Sequence, residues 1–501
     1  MNIQPSFAQF RTLAQKGNLV PVVCNVTTDL ETPVSVFLKL ARNEPHAFLL
    51  ESVELGEQLG RFSLIGMDPE MILEYTGRSA MVRQRKTKKR MNGDFLNLVQ
   101  QLLKPYHLVR HPSLPPLVGG FVGYIGYELV QQFETIKLKK KKGLPVPDAV
   151  LFFPVNLVVF DHIKHQVKLI HLATIKGSVK HAYVSAVAEI KKMLSRLNRS
   201  VHDHKVLSSE NIGRKLHRQT LRSNVARSRF ESMVRKSKEY IRAGDCIQVV
   251  ISQRFDLGVV SNDFELYRAL RSLNPSPYMF YFKNRKMTLV GSSPEMLTKK
   301  MGTTAEVCPI AGTRPRGTTN AEDIAFENAL RSSPKEMAEH LMLVDLGRND
   351  LGRVCEPATV RVNDFARIER YSHVMHLVSD VQAVLKKGRT AFDLLRATFP
   401  AGTVTGAPKI RAMQIIDELE PERRGPYAGA LGYFGISGDM DMCITIRTMI
   451  VFNNHASVQA GAGIVNDSIP KNEYRETANK AKALLQAVNM CKDQKYDLND
   501  R

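Results

Sequence analysis

The 501-residue chain contains no tryptophan, so a pure sample has no indole emission of its own, and any such signal in a mixture belongs to an added molecule. Its six cysteines, Cys24, Cys246, Cys308, Cys355, Cys443 and Cys491, are scattered with no Cys-x-x-Cys pair. That argues against a zinc site or a disulfide framework and for reduced, packed thiols. No apolar run reaches the ~18 residues of a membrane span; the nearest, Ala149 to Phe160, is broken by Pro154 and Asn156 and reads as strand. The first residues, Met1 to Asn25, lack a basic flank followed by an apolar stretch, since Gln4, Gln9, Arg11 and Gln15 interrupt every window. The expectation is a cytoplasmic chain with no membrane partner.

Acidic residues are also scarce, 49 against 71 Lys plus Arg, which leaves a net charge of +22. This balance invites a nucleic-acid reading, and Arg83 to Arg90 (RQRKTKKR) and Lys137 to Lys142 (KLKKKK) are runs able to neutralise phosphates. Neither run has interleaved aromatics for base stacking or sits in a recognisable binding motif. Solvated loops or strand ends are the better reading, and a basic nucleic-acid-binding protein stays as a remote alternative. With 43% apolar and 24% charged residues the composition is that of a folded globular chain, long enough for two or three domains or one large α/β unit.

Two regions are expected, 1–197 and 225–490, separated by a polar, basic linker over 198–224 and followed by a polar tail over 491–501. In the first, strands are expected over Ala47 to Val53, Gly119 to Val130, Val150 to Phe160 and Gln166 to Ala173, then a helix over Val179 to Leu197. In the second, helices are expected over Arg229 to Ala243, Asp263 to Leu273, Lys335 to Leu346 and Asn472 to Met490. Strands are expected over Ile247 to Phe255, Ala430 to Gly435, Cys443 to Phe452 and Ser457 to Ala460, with a hairpin over Met279 to Val290.

Several motifs fail. The stretch from Gly402 to Lys409 has the wrong spacing for a phosphate loop, and Pro408 precedes the lysine. Gly461-Ala-Gly463 begins a dinucleotide fingerprint, but Asn466 replaces its third glycine. No serine or cysteine occupies a glycine-flanked nucleophile elbow. What survives is a pair of carboxylate pairs, Glu336 with Glu339 and Glu473 with Glu476, each three apart in a helical segment and so on one face. Such pairs are more often solvated faces than metal sites. If the four do converge, they call for a hard divalent cation; a di-iron site would want a histidine that the second segment lacks.

The company these pairs keep decides the matter. Pro309 to Gly317 (PIAGTRPRG), Tyr371 to His376, Gly402 to Lys409, Arg424 to Phe434 (RGPYAGALGYF), Ile446 to Thr448 and Gln459 to Gly463 (QAGAG) follow one another in one half of the chain. Together they closely resemble the chorismate-utilising enzymes, and among these the large subunits that form anthranilate. The resemblance covers essentially the whole chain and implies a mixed α/β fold in two lobes, with large, mainly antiparallel β-sheets flanked by helices. It implies Mg²⁺ held by Glu339 and Glu476, with Glu336 and Glu473 as nearby or water-mediated partners, neutralising the ring carboxylate. Arg447 and Tyr427 match the clamp on the enolpyruvyl carboxylate, with Gly461, Ala462 and Gly463 adding backbone donors. Gly312 and Thr313 match further chorismate contacts, and Thr403 and Lys480 line the site, although Lys480 is equally placed for a plain helix ion pair with Glu476. His376 matches the histidine beside the reacting ring, and His373 and His340 take no role. Glu295 resembles the general acid for the departing hydroxyl, which requires a raised pKa.

Two positions choose among relatives. Hydroxylating members carry a lysine base where Gln248 stands, and a water nucleophile needs that base whereas ammonia does not. Aminodeoxychorismate synthases, the nearer alternative, carry a lysine in the stretch where Ala311 stands. Both substitutions favour anthranilate with pyruvate as the products, in the first committed step of tryptophan biosynthesis. The ammonia then needs a separate glutamine amidotransferase subunit, component II of the pair, since no glutaminase nucleophile is present; the resemblance implies a heterotetramer of two large and two small subunits. Ser52, Pro277, Tyr278 and Met279 match the family's tryptophan-binding elements and imply feedback inhibition by tryptophan.

Overall fold

The computed structural model describes residues 3–27, 30–52, 60–85, 87–110, 114–115, 117–200, 222–371 and 374–492. Most of the expected linker (201–221), the end of the tail (493–501), Val53 and His373 lie outside them. The architecture is mixed α/β. The described residues form 23 strands joined in one hydrogen-bonded network, and the named pairs are all antiparallel. Helices cover the outer faces.

The network divides at one long strand pair. Phe62–Thr76 lies against Ala149–Asp161, and the register shifts where Pro69 stands opposite Pro154. Two facing prolines supply no ladder donors, so the pair bulges and bends there. Pro154 thus marks a bend inside a fully buried strand rather than its end. On one side of the bulge a first sheet runs through His46–Glu51, Tyr278–Asn284, Met287–Ser293, Thr448–Phe452 and His455–Ile464 to Gln248–Val259. On the other side a second sheet runs through Gly120–Ile125, Ala430–Gly435, Met440–Ile444, Met296–Met301 and Thr304–Val307 to Val374–Val384. Both sheets mix strands from before residue 198 and after residue 224; one buried core joins faces of the two sheets, and another packs the opposite face of the first sheet against helices.

Two expected strands differ in an instructive way. Cys443 to Phe452 is not continuous: Met440–Ile444 belongs to the second sheet and Thr448–Phe452 to the first, so the chain changes sheet across residues 445–447. Arg447 takes a left-handed backbone, φ 50°, to make that corner. Likewise Gly119 to Val130 is a strand only over Gly120–Ile125, followed by a 3₁₀ turn over Tyr127–Gln132. Helix limits follow the caps. Val179–Leu197 and Asp263–Leu273 start behind Ser178 and Asn262, whose side chains accept amides of the first turn. Pro334–Gly352 starts behind Ser333 with Pro334 in its first turn. It packs across Ile310–Pro315 and Val374–Val384, while Pro470–Lys492 packs on His455–Ile464. The two helices thereby flank the space between the two sheets.

The basic runs are surface features. Arg83 and Gln84 end one strand and Thr87 to Arg90 begin the next in the hairpin of Ser79–Gln84 with Thr87–Asn92, and Arg83 pairs with Glu74 at 3.1 Å. Residues 137–142 lie along helix Lys409–Leu419, with Lys141 paired to Asp417 at 3.0 Å.

Candidate active site

A cavity of about 530 Å³ opens between the two sheets and the two closing helices. Helix Pro334–Gly352 points Glu336 and Glu339 into it, and helix Pro470–Lys492 points Glu473, Glu476 and Lys480 into it from the opposite wall. Burial raises the Glu339 pKa, and the charges of Glu336 and Glu476 push it further up, against one stabilising hydrogen bond from Gln248 Nε2 at 3.0 Å. Glu473 is raised by burial and by Glu476, while Ser468 works against the shift. Glu336 is bound by Arg314 at 3.1 Å and Glu476 by Lys480 at 2.7 Å. Lys480 therefore makes the helix ion pair, and its Nζ also reaches the Gly461 carbonyl at 2.9 Å. Among the described residues no three or more such side chains are close enough to cage an ion by themselves. The donor set, carboxylates under mutual repulsion beside an amide, suits a hard divalent cation that keeps waters and shares ligand oxygens.

Glu295 and Arg447 enter from the two sheet changes. Glu295 follows Met287–Ser293 at the point where the chain passes from the first sheet to the second. It is fully enclosed, and burial pushes its carboxyl up to about 8; the Thr403 hydroxyl donates to Oε1 and only partly offsets this. Arg447 is half-buried, reaching also the cleft beside the cavity, and makes no ion pair with a described residue; loss of solvent around it lowers its pKa, opposed by Tyr427 and Glu476. A half-buried guanidinium that faces a cavity without a carboxylate partner suits a carboxylate-bearing ligand. Tyr427 lines the same wall, its phenol pushed up to about 12 by burial and so a neutral donor.

The glycines make room for these groups. A Cβ at residue 461 would meet the Tyr427 hydroxyl at 2.7 Å, and one at residue 463 would meet Gln248 Nε2 at 2.8 Å. Ala462, expected to donate alongside them, does not. Val250 and Ser252 send their amides away from this strand, to the Thr405 carbonyl and to Glu420, which leaves Ile251 and Ala462 as the hydrogen-bonded pair of the ladder. The Ala462 methyl packs with Val249 and Ile251. Of these three residues Gly461 and Gly463 line the cavity and Ala462 does not.

His376 faces the cavity from Val374–Val384, opposite Thr313 in the register. Its Nδ1 lies 2.8 Å from the Gly312 carbonyl and 3.1 Å from the Thr313 hydroxyl. Burial lowers its pKa, so the ring is neutral at pH 7 with the proton on Nδ1 and the lone pair on Nε2. Gly312 holds φ 62°, where a side chain would also crowd Leu330 and Glu336. His340 is buried elsewhere, bound to Ser379 at 2.6 Å.

A match to the chorismate binding enzyme family spans residues 29–486. The chain belongs to that family. It is 43% identical over 489 residues to anthranilate synthase component 1 of Acetivibrio thermocellus, covering 97% of this chain and 98% of the relative. It is 44% identical to the protein of the same name from Synechocystis, at 97% and 99% coverage. Among solved structures, anthranilate synthase component I from Streptococcus pneumoniae superposes with a TM-score of 0.75 at 36% identity, covering 92% of this chain and 98% of that one. The menaquinone-specific isochorismate synthase of Escherichia coli, at 20% identity and a TM-score of 0.67 over 96% and 98%, shares the fold.

Within this chorismate-binding fold the cavity also holds residues that sequence reading passed over. Lys335 and Gln459 line it, and Ser468 supports Glu473. Lys335 precedes Glu336 in the helical segment already singled out and lies one turn from Glu339, so the helical spacing was its available signal. A shallower cleft of about 470 Å³ adjoins the cavity, shares Arg447, Glu476 and Lys480 with it, and adds Asn472, Arg475 and Asn479.

A second cavity, about 410 Å³, lies between the sheets away from the first. Ser52, Pro277, Tyr278 and Met279 all line it, with Leu50 and Phe62 from the first sheet and Leu431 and Asp441 from the second. The Tyr278 hydroxyl donates to Asp441 at 3.0 Å, and burial raises the Asp441 carboxyl.

Proposed function

We propose that the chain is component I of an anthranilate synthase, converting chorismate and ammonia to anthranilate, pyruvate and water. One observation carries this reading: an arginine without an ion-pair partner among the described residues, Arg447, and a buried carboxyl held neutral near pH 7, Glu295, face one cavity walled by four glutamates. Arg447 and Tyr427 bind the enolpyruvyl carboxylate, with the Gly461 and Gly463 backbone close behind. Glu295 gives its proton to the departing ring hydroxyl as ammonia adds to the ring. His376, neutral with a lone pair on Nε2, takes the ring proton as pyruvate leaves and the ring becomes aromatic. Gln248 cannot activate water, and Ala311 offers no amine, which favours this reading over isochorismate and aminodeoxychorismate formation. Mg²⁺, held by Glu339 and Glu476 with Glu336 and Glu473 in support, would neutralise the ring carboxylate.

The same reading assigns ammonia delivery to a glutamine amidotransferase subunit, in a heterotetramer of two large and two small subunits, and tryptophan to the second cavity as a feedback inhibitor. Among the described residues no helix is long and apolar enough to cross a membrane, and the enzyme is assigned to the cytoplasm. The test is product identification. Purified chain with chorismate, Mg²⁺ and ammonium should yield fluorescent anthranilate and pyruvate, and glutamine should replace ammonium only once the partner subunit is added. Accumulation of 4-amino-4-deoxychorismate or isochorismate instead would overturn the assignment.

A further inference from the structure

Behind the cavity wall lies a charged group that touches no open space of the site and yet is bonded to three of its sides. Arg424 is buried and pairs with Glu420, Nε to Oε2 at 2.9 Å and Nη2 to Oε1 at 2.6 Å. Two further N–H groups donate to main-chain carbonyls, Nη1 to Val404 at 2.7 Å and Nη2 to Val250 at 2.8 Å. The rings of Tyr127 and Tyr427 lie 4.8 and 5.5 Å from the guanidinium carbon. Glu420 in turn accepts the Ser252 amide and hydroxyl, both at 2.8 Å, and Ser252 accepts from Gln459 Nε2 at 2.8 Å. Glu128 fixes the backbone from outside by accepting the Arg424 amide at 2.7 Å.

Val250, Val404, Tyr427 and Gln459, where these contacts end, all line the active-site cavity. A buried ion pair that only filled space would be exchangeable for apolar side chains of the same volume. Here the planar fork is spent on carbonyls of two separate segments, a task that a point-charge ammonium cannot perform. The Val404 carbonyl ends the short turn Gly402–Val404, and the middle residue of that turn, Thr403, donates its hydroxyl to Glu295. Holding the carbonyl therefore holds the hydroxyl.

We propose that Arg424 is a positioning residue: through the Val404 carbonyl it fixes the Gly402–Val404 turn and so the Thr403 hydroxyl against the Glu295 carboxyl. The inference rests on the function proposed above. Wild-type product formation from ammonium tests that function in the same assay, so the two can fail separately.

The experiment is a double-mutant cycle on ammonia-dependent anthranilate formation with Arg424→Lys and Thr403→Val. Each single substitution should lower kcat about tenfold or more while KM for chorismate stays within about threefold. The double variant should fall no more than about twofold below the worse single, because both remove the same support. Multiplying losses, a change in KM alone, or wild-type kcat in Arg424→Lys would overturn the proposal, since a merely structural arginine gives independent losses. If Arg424→Lys shows no cooperative melt, Glu420→Gln keeps the guanidinium and loosens its anchor. It should lower kcat about threefold, again without adding to Thr403→Val; unchanged or multiplying kcat would overturn the proposal equally.

Discussion

The backbones of Glu295 and Arg447 are tied together: the Glu295 carbonyl accepts the Ile444 amide at 3.0 Å, and the Arg447 carbonyl accepts the Ser292 amide at 3.2 Å. Both residues stand where adjacent strands leave one sheet for the other. A neutral acid and an uncompensated cation are therefore held at a fixed separation by main-chain bonds, without bonding each other.

The acid carries a pH prediction. Glu295 is protonated below about 8, so kcat should decline as pH rises through that value, and Glu295→Gln should lose about 100-fold or more. Stability moves in a related way. The folded pKa lies above the unfolded one, so the native state binds the extra proton between about 4.5 and about 8, and stability falls as pH rises across that window. The amide introduced by Glu295→Gln has no proton to lose. The unfolding free energy of that variant minus that of wild type should therefore grow from pH 5 to pH 8 by roughly a few kcal/mol. A flat difference would show that Glu295 is ionised in the folded protein.

Local pattern made much of this arrangement legible. Helices Val179–Leu197 and Asp263–Leu273 begin behind side chains that cap them, and capping is a property of neighbouring residues alone. The carboxylate pairs were visible because helical spacing puts each pair on one face. The corner at Arg447 was not visible, because which of two sheets an apolar segment joins depends on partners far along the chain. Arg424 was invisible as a functional group for the same reason: nothing near it in sequence records that its fork meets Val250 and Val404. The exclusion of Ala462 from the cavity follows from strand alternation once Gly461 is known to face inward.

The two inward glycines should be intolerant of a methyl group. Gly461→Ala places a carbon 2.7 Å from the Tyr427 hydroxyl, and Gly463→Ala places one 2.8 Å from the Gln248 amide. Each side chain must shift from the position it holds in the cavity wall. Steady-state kinetics should show kcat/KM for chorismate down by about tenfold or more, with the melting temperature within a few degrees of wild type. Ala462→Gly, whose methyl sits in the core, should do the reverse, lowering stability by about 1 kcal/mol with little effect on KM.

The glutamate walls predict a metal effect that does not depend on turnover. Glu336, Glu339, Glu473 and Glu476 line one cavity, and the Glu339 pKa is raised by burial and by its neighbours' charges. Mg²⁺ at a hundredfold excess over its dissociation constant should stabilise the protein by about 2.7 kcal/mol. Calorimetry of Glu339→Gln with Glu476→Gln should show that gain lost and the metal-free melting temperature unchanged or raised, because repulsion has been removed. Undiminished Mg²⁺ stabilisation in that double variant would move the metal elsewhere.

The absence of tryptophan from the chain turns the second cavity into a direct binding assay. Tryptophan added to the protein is the only indole present, so its anisotropy, excited on the red edge of the band, reports occupancy without a label. Leu64→Phe fills the floor of the cavity while leaving the active-site residues untouched. It should abolish the anisotropy rise and relieve inhibition of anthranilate formation together, with uninhibited kcat within about twofold of wild type. An anisotropy rise and inhibition that both persist in Leu64→Phe would place the effector outside this cavity, and competition by chorismate would then place it in the active site. Tyr278→Phe is the milder companion, removing one hydrogen bond to Asp441, and should weaken both readouts by the same factor of about five to ten.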